Sequence, residues 1–398
     1  MKSVDAHLAG ILAAVRTLAP LEVELERALG TTLAEDVAAP VPLPPFDNSA
    51  MDGYAVRAAD VADATETRPV TLPVIEDVAA GDGRTYALGP GMVTRIMTGA
   101  PLPGGADSVV PVELTDGGRI RVSIRQAVTK GNAVRRAGED VRAGAVVLPA
   151  GTTIGPAQLG ILAGVGRRRV RVLPRPRVVV LSTGAELVPP GQPLGPGQIW
   201  ESNSYMLSAA VREAGGEGFR ADAVTDDPTE FLERLDAQLV RADAVITSGG
   251  VSMGAYEPVK EALAPLGVVR FEKVAMQPGM PQGFGLIGED QVPIFTLPGN
   301  PVSSFVSFLL FVKPALRKMR GLPVGPPEMI QAITTAPLRS PQGKRSFLRV
   351  VLSGGTVTPV RGQGSHQLAA LAAANALVVI PESVTGVPEG ATVDVMPL

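Results

Sequence analysis

Apolar residues recur at helical spacing at the start of the chain: Leu8, Ile11, Leu12 and Val15 share one face within Val4 to Leu18, and a weaker version runs from Val23 to Leu33. The spacing predicts two amphipathic helices. Pro40-Val41-Pro42-Leu43-Pro44-Pro45 then removes amide donors and fixes the backbone, which reads as a linker. Short β-type runs follow between Ala55 and about Val134 (Val70 to Val74, Met92 to Met97, Ser108 to Val112, Arg119 to Ile124), broken by Gly, Pro and Asp pairs. They predict a small all-β module. Gly138 to Val172 returns to a Gly-rich strand, a helix around Ala157 to Gly164 and a basic strand. This segment is expected to pack back on the N-terminal helices, which makes the β module an insertion.

From about Arg177 to Arg320 apolar strands alternate with helices, the pattern of a parallel sheet covered on both faces. Its strands are Val178 to Leu181, Ala244 to Thr247 and Pro293 to Leu297. After the Leu322-Pro323-Val324-Gly325-Pro326-Pro327 linker the chain returns to short strands: Met329 to Thr334, Phe347 to Leu352, Thr356 to Val360 and Leu377 to Ile380. A C-terminal β domain is expected there.

Composition narrows what these domains can do. A chain of 398 residues that is 45% hydrophobic can bury a sizeable core, divided into roughly two to four domains. Lys and Arg number 36 against 39 Asp and Glu, so no global field draws nucleic acid or an anionic membrane, and any anion must be caught locally. Aromatic residues make up 4%, which argues against base-stacking platforms for nucleic acid. With no cysteine there are no disulfides, thiolate nucleophiles or Cys-based metal sites, and His7 and His366 are the only imidazoles. A metal would then be a hard cation on carboxylates, which favours Mg²⁺. Met1 to Gly10 has no signal-peptide pattern, and the apolar run Phe305 to Val312 is too short to span a bilayer, so a cytoplasmic protein is expected.

The candidate chemistry sits where strands end. In an open parallel sheet, loops at the carboxyl ends converge on a crevice that binds ligands. Three such loops are polar and glycine-rich: Ser182-Thr183-Gly184-Ala185-Glu186-Leu187, Thr247-Ser248-Gly249-Gly250-Val251-Ser252-Met253-Gly254, and Leu297-Pro298-Gly299-Asn300-Pro301-Val302-Ser303. Glycines let amides approach an anion, hydroxyls add donors, and a helix N-terminus behind each loop would add partial positive charge. Strand-to-helix turns need Gly, Ser and Pro in any case, but three from one sheet point to a phosphate or pyrophosphate cradle. None matches GxxxxGK[ST], and no GxGxxG follows a strand. Glu186, Asp226, Asp227 and Glu257 lie close by; carboxylates beside a phosphate suggest a bridging Mg²⁺, although Asp227-Pro228-Thr229-Glu230 is also a good helix start.

These loops, with Pro44-Pro45-Phe46-Asp47-Asn48-Ser49-Ala50-Met51-Asp52-Gly53-Tyr54-Ala55 and Arg95-Ile96-Met97-Thr98-Gly99-Ala100-Pro101, resemble the MoeA family of molybdopterin molybdenumtransferases and the related C-terminal domain of gephyrin. Arg135-Arg136-Ala137-Gly138-Glu139-Asp140, Glu201-Ser202-Asn203, Gly343 to Arg349 and Gln363-Gly364-Ser365 extend the resemblance over essentially the whole chain. It implies a multidomain α/β plus β fold: a segmented N-terminal domain (1–44 and 139–175), an inserted β domain (45–138), an α/β molybdopterin-binding domain with a parallel sheet (176–324) and a C-terminal β-barrel domain (325–398). It also implies a homodimer with Asp52, Thr98, Arg135 and Asp140 acting across the interface.

The implied reaction inserts molybdate into adenylated molybdopterin with release of AMP and Mg²⁺ as cofactor; other cofactor-biosynthesis proteins and apo-molybdoenzymes are the implied partners. By the same resemblance Asp52, Thr98, Glu186, Asp226 and Glu257 are catalytic, with Glu186 and Glu257 on the metal. Ser182, Thr183, Gly184, Ser202 and Asn203 would bind substrate, with Thr247, Ser248, Gly249, Gly250, Ser252 and Gly254 on the pyrophosphate. Pro298, Gly299, Asn300 and Pro301 would form the nucleotide pocket, and Lys344, Arg349 and Ser365 would hold oxyanion or pterin phosphate. The family commonly has Asp where Glu257 stands and two lysines in the segment Met276-Gln277-Pro278-Gly279-Met280-Pro281, so attraction of molybdate falls here to Lys273, Lys344 or Arg345. Two alternatives stay open: a non-catalytic scaffold, as in gephyrin, and an enzyme that adenylates molybdopterin. The acidic, glycine-rich cleft favours an enzyme over a scaffold, and the inserted and C-terminal domains favour insertion over adenylation.

Overall fold

The computed structural model describes residues 1–221, 227–250 and 258–398. They form two compact units, one of residues 1–22, 30–34 and 171–398, the other of residues 23–29 and 35–170.

The first unit is built on a six-stranded sheet with strands in the order Glu217–Arg220, Arg177–Ser182, Ala244–Ser248, Val292–Leu297, Pro281–Ile287 and Val269–Lys273. The first four run parallel, as the buried apolar runs predict, and the last two are antiparallel. The departure from an all-parallel sheet has a simple cause: the connections around Pro281–Ile287 are too short for a crossover, which needs a dozen or more residues, so the chain turns back as hairpins. Alternate residues of the central strands feed two cores. Val178 and Val180 pack with Leu207, Val211 and Val306 on one face, and Val179 and Leu181 with Phe231, Leu235 and Val259 on the other.

The N-terminal helix Val4–Ala14 lays Val4 and Ile11 into the first of these cores. Ser3 Oγ caps it by accepting from the Ala6 amide at 3.1 Å. Lys2 Nζ and His7 Nδ1 reach Glu272 Oε2 at 2.9 and 3.0 Å, which ties the helix to an edge strand of the sheet. The second helix expected from Val23 to Leu33 does not form: Leu21–Glu24 and Thr32–Leu33 are strands around a single 3₁₀ turn, Leu25–Arg27. Gly30 at φ +77° and the β-branched Thr31 and Thr32 break the weak periodicity there.

Toward the C-terminus, Arg345–Ser353, Thr356–Pro359, Ile330–Thr334, Thr392–Pro397 and Ala376–Ile380 pair in that order, and the last strand closes back on the first. The expected β domain is thus a closed barrel, which leaves no free edge. The short strand Met276–Gln277 pairs in parallel with Arg345 and Ser346, joining the α/β part of this unit to the barrel.

The second unit carries a five-stranded sheet in the order Ser108–Pro111, Gly53–Val56, Val93–Ile96, Val70–Val78 and Arg121–Ile124. Tyr54, Val56, Val93, Val110 and Val122 fill its core. The helix Pro156–Gly164, with proline in its first turn, and the strand Val146–Leu148, paired with Val37–Ala38, complete the unit.

Candidate functional site

Strand register brings the three glycine-rich loops together. Ser182 lies opposite Ser248, and Ser248 opposite Leu297, so the loops leave the sheet side by side at one end. Side chains then stitch them to each other. Asn203 Nδ2 donates to Ser248 Oγ at 2.8 Å and to the Gly299 carbonyl at 2.6 Å. Asn300 Nδ2 donates to Ser365 Oγ at 3.0 Å, and the Val302 amide to the Ser365 carbonyl at 3.0 Å, which brings a barrel loop to the same place.

Glu201 organises the first loop. Its carboxylate is 5% exposed and accepts from Ser182 Oγ at 2.8 Å, the Ser204 amide at 2.7 Å and Ser204 Oγ at 2.6 Å. Arg220 stands 3.8 Å away with its guanidinium stacked on Tyr205. Such a carboxylate has little capacity left for a ligand. Glu186, by contrast, is exposed, and its carboxylate makes no hydrogen bond or ion pair among the described residues.

The loops enclose a cavity of about 840 Å³, of a size with small-molecule and cofactor sites. Ser182, Thr183, Gly184, Glu186, Ser202, Asn203, Ser248, Gly249, Gly250, Pro298, Gly299, Asn300, Pro301 and Ser365 all line it, as do Trp200, Glu201, Gln277 and His366, to which no role was assigned from sequence. Glu201 and Gln277 stand inside motifs already singled out in the sequence. Trp200 and His366 adjoin such motifs, but nothing in their pattern separates them from ordinary surface residues.

Two glycines are favoured by backbone geometry. Gly184 has φ +150°, a conformation side chains rarely adopt; Gly249 has φ +101°, and a Cβ there would also come within 2.6 Å of the Thr183 carbonyl oxygen. The loop amides are only partly available to an anion, because those of Thr183 and Gly249 already donate to the Ser248 and Leu297 carbonyls. The amides of Gly184 and Gly299 make no hydrogen bond among the described residues. Thr183 Oγ1 and Thr247 Oγ1 are buried without a hydrogen-bond partner among the described residues, and Thr183 lines the cavity.

Several expectations are corrected. No helix follows the first loop, which runs into the short strand Leu187–Val188 because Pro189 and Pro190 stand next in the chain; the helix Asn203–Glu213 begins only later. Arg349 is wholly buried in the barrel, where its Nη2 donates to the Gly362 and Gly364 carbonyls at 2.9 and 3.1 Å, and burial lowers its pKa. It supports the Ser365 loop from behind and does not line the cavity. Lys344 and Lys273 are also absent from the lining, and Arg345 is engaged by Asp5 at 2.8 Å and Glu382 at 3.1 Å. Among the described residues the cavity therefore has no lysine or arginine. Asp226, Ser252, Gly254 and Glu257 lie outside the described residues. Asp227 caps the helix Pro228–Leu239 by accepting from the Thr229 amide at 2.8 Å.

The lining suits a hard cation in kind. No three His, Asp or Glu side chains converge among the described residues, but Glu186 offers a free carboxylate amid hydroxyl and carbonyl oxygens. Mg²⁺ is commonly held by one or two carboxylates, with water and substrate phosphates completing the shell, so this donor set fits it.

The second unit has its own polar cluster. Asp52 Oδ1 accepts from the Thr98 amide at 2.7 Å and from Thr98 Oγ1 at 2.8 Å. Those two bonds hold the Asp52 carboxyl below the usual carboxylate range. Arg135 is exposed on the two-residue strand Val134–Arg135, opposite Asn48, and Asp140 is exposed with its amide donating to the Leu43 carbonyl.

Comparison with known proteins spans the whole chain. Residues 2–166 match the family model "MoeA N-terminal region (domain I and II)", residues 179–318 "Probable molybdopterin binding domain", and residues 331–398 "MoeA C-terminal region (domain IV)". The chain is 50% identical over 406 residues to molybdopterin molybdenumtransferase 2 of Mycobacterium tuberculosis H37Rv, covering 100% of both. It is 39% identical to the molybdopterin molybdenumtransferase of Nostoc sp. PCC 7120, covering 94% of this chain and 88% of that one. The crystal structure of a molybdopterin biosynthesis MoeA protein from Pyrococcus horikosii matches with a TM-score of 0.82 at 34% identity, covering 99% of this chain and 98% of the other.

Proposed function

Because the chain belongs to the MoeA family and is a molybdopterin molybdenumtransferase of molybdenum cofactor biosynthesis, we propose that its substrates are molybdate and adenylated molybdopterin and that it releases AMP. One observation carries this reading: three strand-end loops and a barrel loop converge on a single cavity of about 840 Å³. That is room for a ligand with two ring systems joined by phosphates. A pyrophosphate link would lie against the Gly184 and Gly299 amides, with Asn300 and Ser365 fixing the nucleotide end.

Little covalent chemistry is asked of the side chains, so the rate rests on positioning and on charge neutralisation, as in other phosphoryl chemistry. Glu186 would hold Mg²⁺, joined by Glu257 from outside the described residues. When bound, the cation neutralises charge on the pyrophosphate oxygens. The absence of lysine and arginine from the described lining supports this assignment, since a dianionic link then needs a cation from elsewhere. The protein is proposed to work as a homodimer. No helix among the described residues is long and apolar enough to cross a membrane, in keeping with action in the cytoplasm.

The test is AMP release by the purified, full-length protein from adenylated molybdopterin, with Mg²⁺ present or chelated and molybdate added or withheld. Release that requires both is the expected result. Release without molybdate would make the protein a hydrolase of the adenylate. No release from folded protein and intact substrate would sink the proposal, as would net adenylate formation from ATP.

A further inference from the structure

Polar and apolar groups share the surface of the cavity, and its rim carries Trp200, the only tryptophan in the chain, which is 53% exposed beside Ile199 at 55%. A large apolar ring left in water forfeits the burial free energy that usually decides where tryptophan goes. An exposed ring at a binding cavity therefore marks a contact surface.

Trp200 is also fixed. Its Nε1–H donates to the Gln192 carbonyl at 2.8 Å, so the polar edge is satisfied and only the faces remain available. The backbone beneath it is pinned on both sides: Trp200 pairs in parallel with Val188, the Ile199 amide donates to the Glu186 carbonyl at 2.9 Å, and the Glu201 amide to the Val188 carbonyl at 2.9 Å. The ring plane is thus tied to the segment that carries Glu186. A pre-set aromatic face binds with little loss of side-chain freedom. The described lining holds no arginine to stack on a flat ligand, and His366, a smaller ring, is its only other aromatic group.

We propose that the Trp200 indole is the stacking face for a flat, nitrogen-rich bicyclic ring of the substrate, with Ile199 as its apolar flank. The inference rests on the substrate proposed above, which carries two such rings, a pterin and an adenine. Both present the same π surface, and stacking is tolerant of ring identity. Trp200 holds that ring at a fixed distance from Glu186 and takes no part in proton or group transfer.

A single tryptophan makes the test direct, since all indole fluorescence reports this residue. The full-length protein is titrated with AMP and, separately, with 6-hydroxymethylpterin, each followed by calorimetry and by inner-filter-corrected indole fluorescence. One ligand is expected to quench saturably with the calorimetric Kd, which identifies the ring that stacks. Trp200→Ala should weaken that ligand about tenfold or more, Trp200→Phe should stay within about threefold, and the other ligand should be unaffected. If both ligands bind the wild type but neither quenches and Trp200→Ala binds both equally well, stacking is overturned while the substrate assignment stands. If neither binds the wild type, the substrate assignment falls and takes the stacking proposal with it.

Discussion

Glu186 and Glu201 line one cavity, and their surroundings give them opposite roles. Glu201 is spent on Ser182 and Ser204, so its removal strands buried donors at a cost of about 1 to 3 kcal/mol for each group left unsatisfied. Glu186 has no such partners. Glu186→Ala is therefore expected to abolish Mg²⁺-dependent turnover with an unchanged thermal midpoint, whereas Glu201→Ala lowers the midpoint by several degrees. Turnover and calorimetric melting of both variants check this, and full activity in Glu186→Ala would remove that residue from the mechanism. The sequence placed Glu186 near the crevice and Glu201 only within a motif, because the commitment of Glu201 depends on hydroxyls brought in by folding. Arg349 was misread for the same reason: a cation in a motif looks available until the closed barrel buries it behind the Ser365 loop.

At the scale of elements, the sheet was legible wherever burial on both faces wrote a continuous apolar run, as in Val178 to Leu181 and Ala244 to Thr247. It was less so where pairing decides direction: nothing local distinguishes the antiparallel Pro281–Ile287 from a parallel strand except the length of its connections. The strand Thr392–Pro397 was not among those read from the sequence, although its outward Thr392 and Asp394 alternate with buried Val393 and Val395 as a half-buried strand does. The glycine loops were found by composition, but their reading as open amide cradles was too generous, since half of Gly249's role is to let the second loop lie on the first. Gly249→Ala places a Cβ against the Thr183 carbonyl at positive φ. It should cost about 1 to 3 kcal/mol and weaken AMP binding, read by denaturant melts and calorimetry. A fully stable variant with normal AMP affinity would show that the second loop can move aside.

For the molecule as a whole, net charge −3 left ligand capture to one local site, and the two units divide the chain unevenly around it in sequence. The N-terminal helix is joined to later parts of the first unit by two titratable contacts, Asp5 with Arg345 and Lys2 and His7 with Glu272, and the second carries a histidine. His7 is 3% exposed; burial lowers its pKa, Glu272 offsets this only in part, and its Nδ1 faces the Glu272 carboxylate at 3.0 Å. Burial alone would raise the Glu272 carboxyl, but Lys2 and His7 bring it below its usual value.

The unfolded chain therefore binds more protons than the folded one in two windows. Stability held above pH 6.5 is lost as the pH falls toward the folded His7 value, with a slope of at most about 1.4 kcal/mol per unit, and a second loss follows below pH 4.5 through Glu272. Lys2 and Arg270 are the cations that flank this contact. Urea melts at pH 7.5 and 5.5 should show the first loss in the wild type and not in His7→Phe; equal pH slopes in the two proteins would refute it.

That contact also sets a schedule. Lys2 leaves the ribosome early, but Glu272 follows 270 residues later, and the Met319 carbonyl that accepts from Leu18 is made later still. At usual elongation rates the delay is roughly 15 to 50 seconds. Residues 35–170, the bulk of the second unit, emerge complete in that interval, while the apolar face of Val4–Ala14 has nothing to cover it. Synthesis and closure thus run in opposite order, and the first helix made is among the last to be sheltered from chaperones and from neighbouring nascent chains.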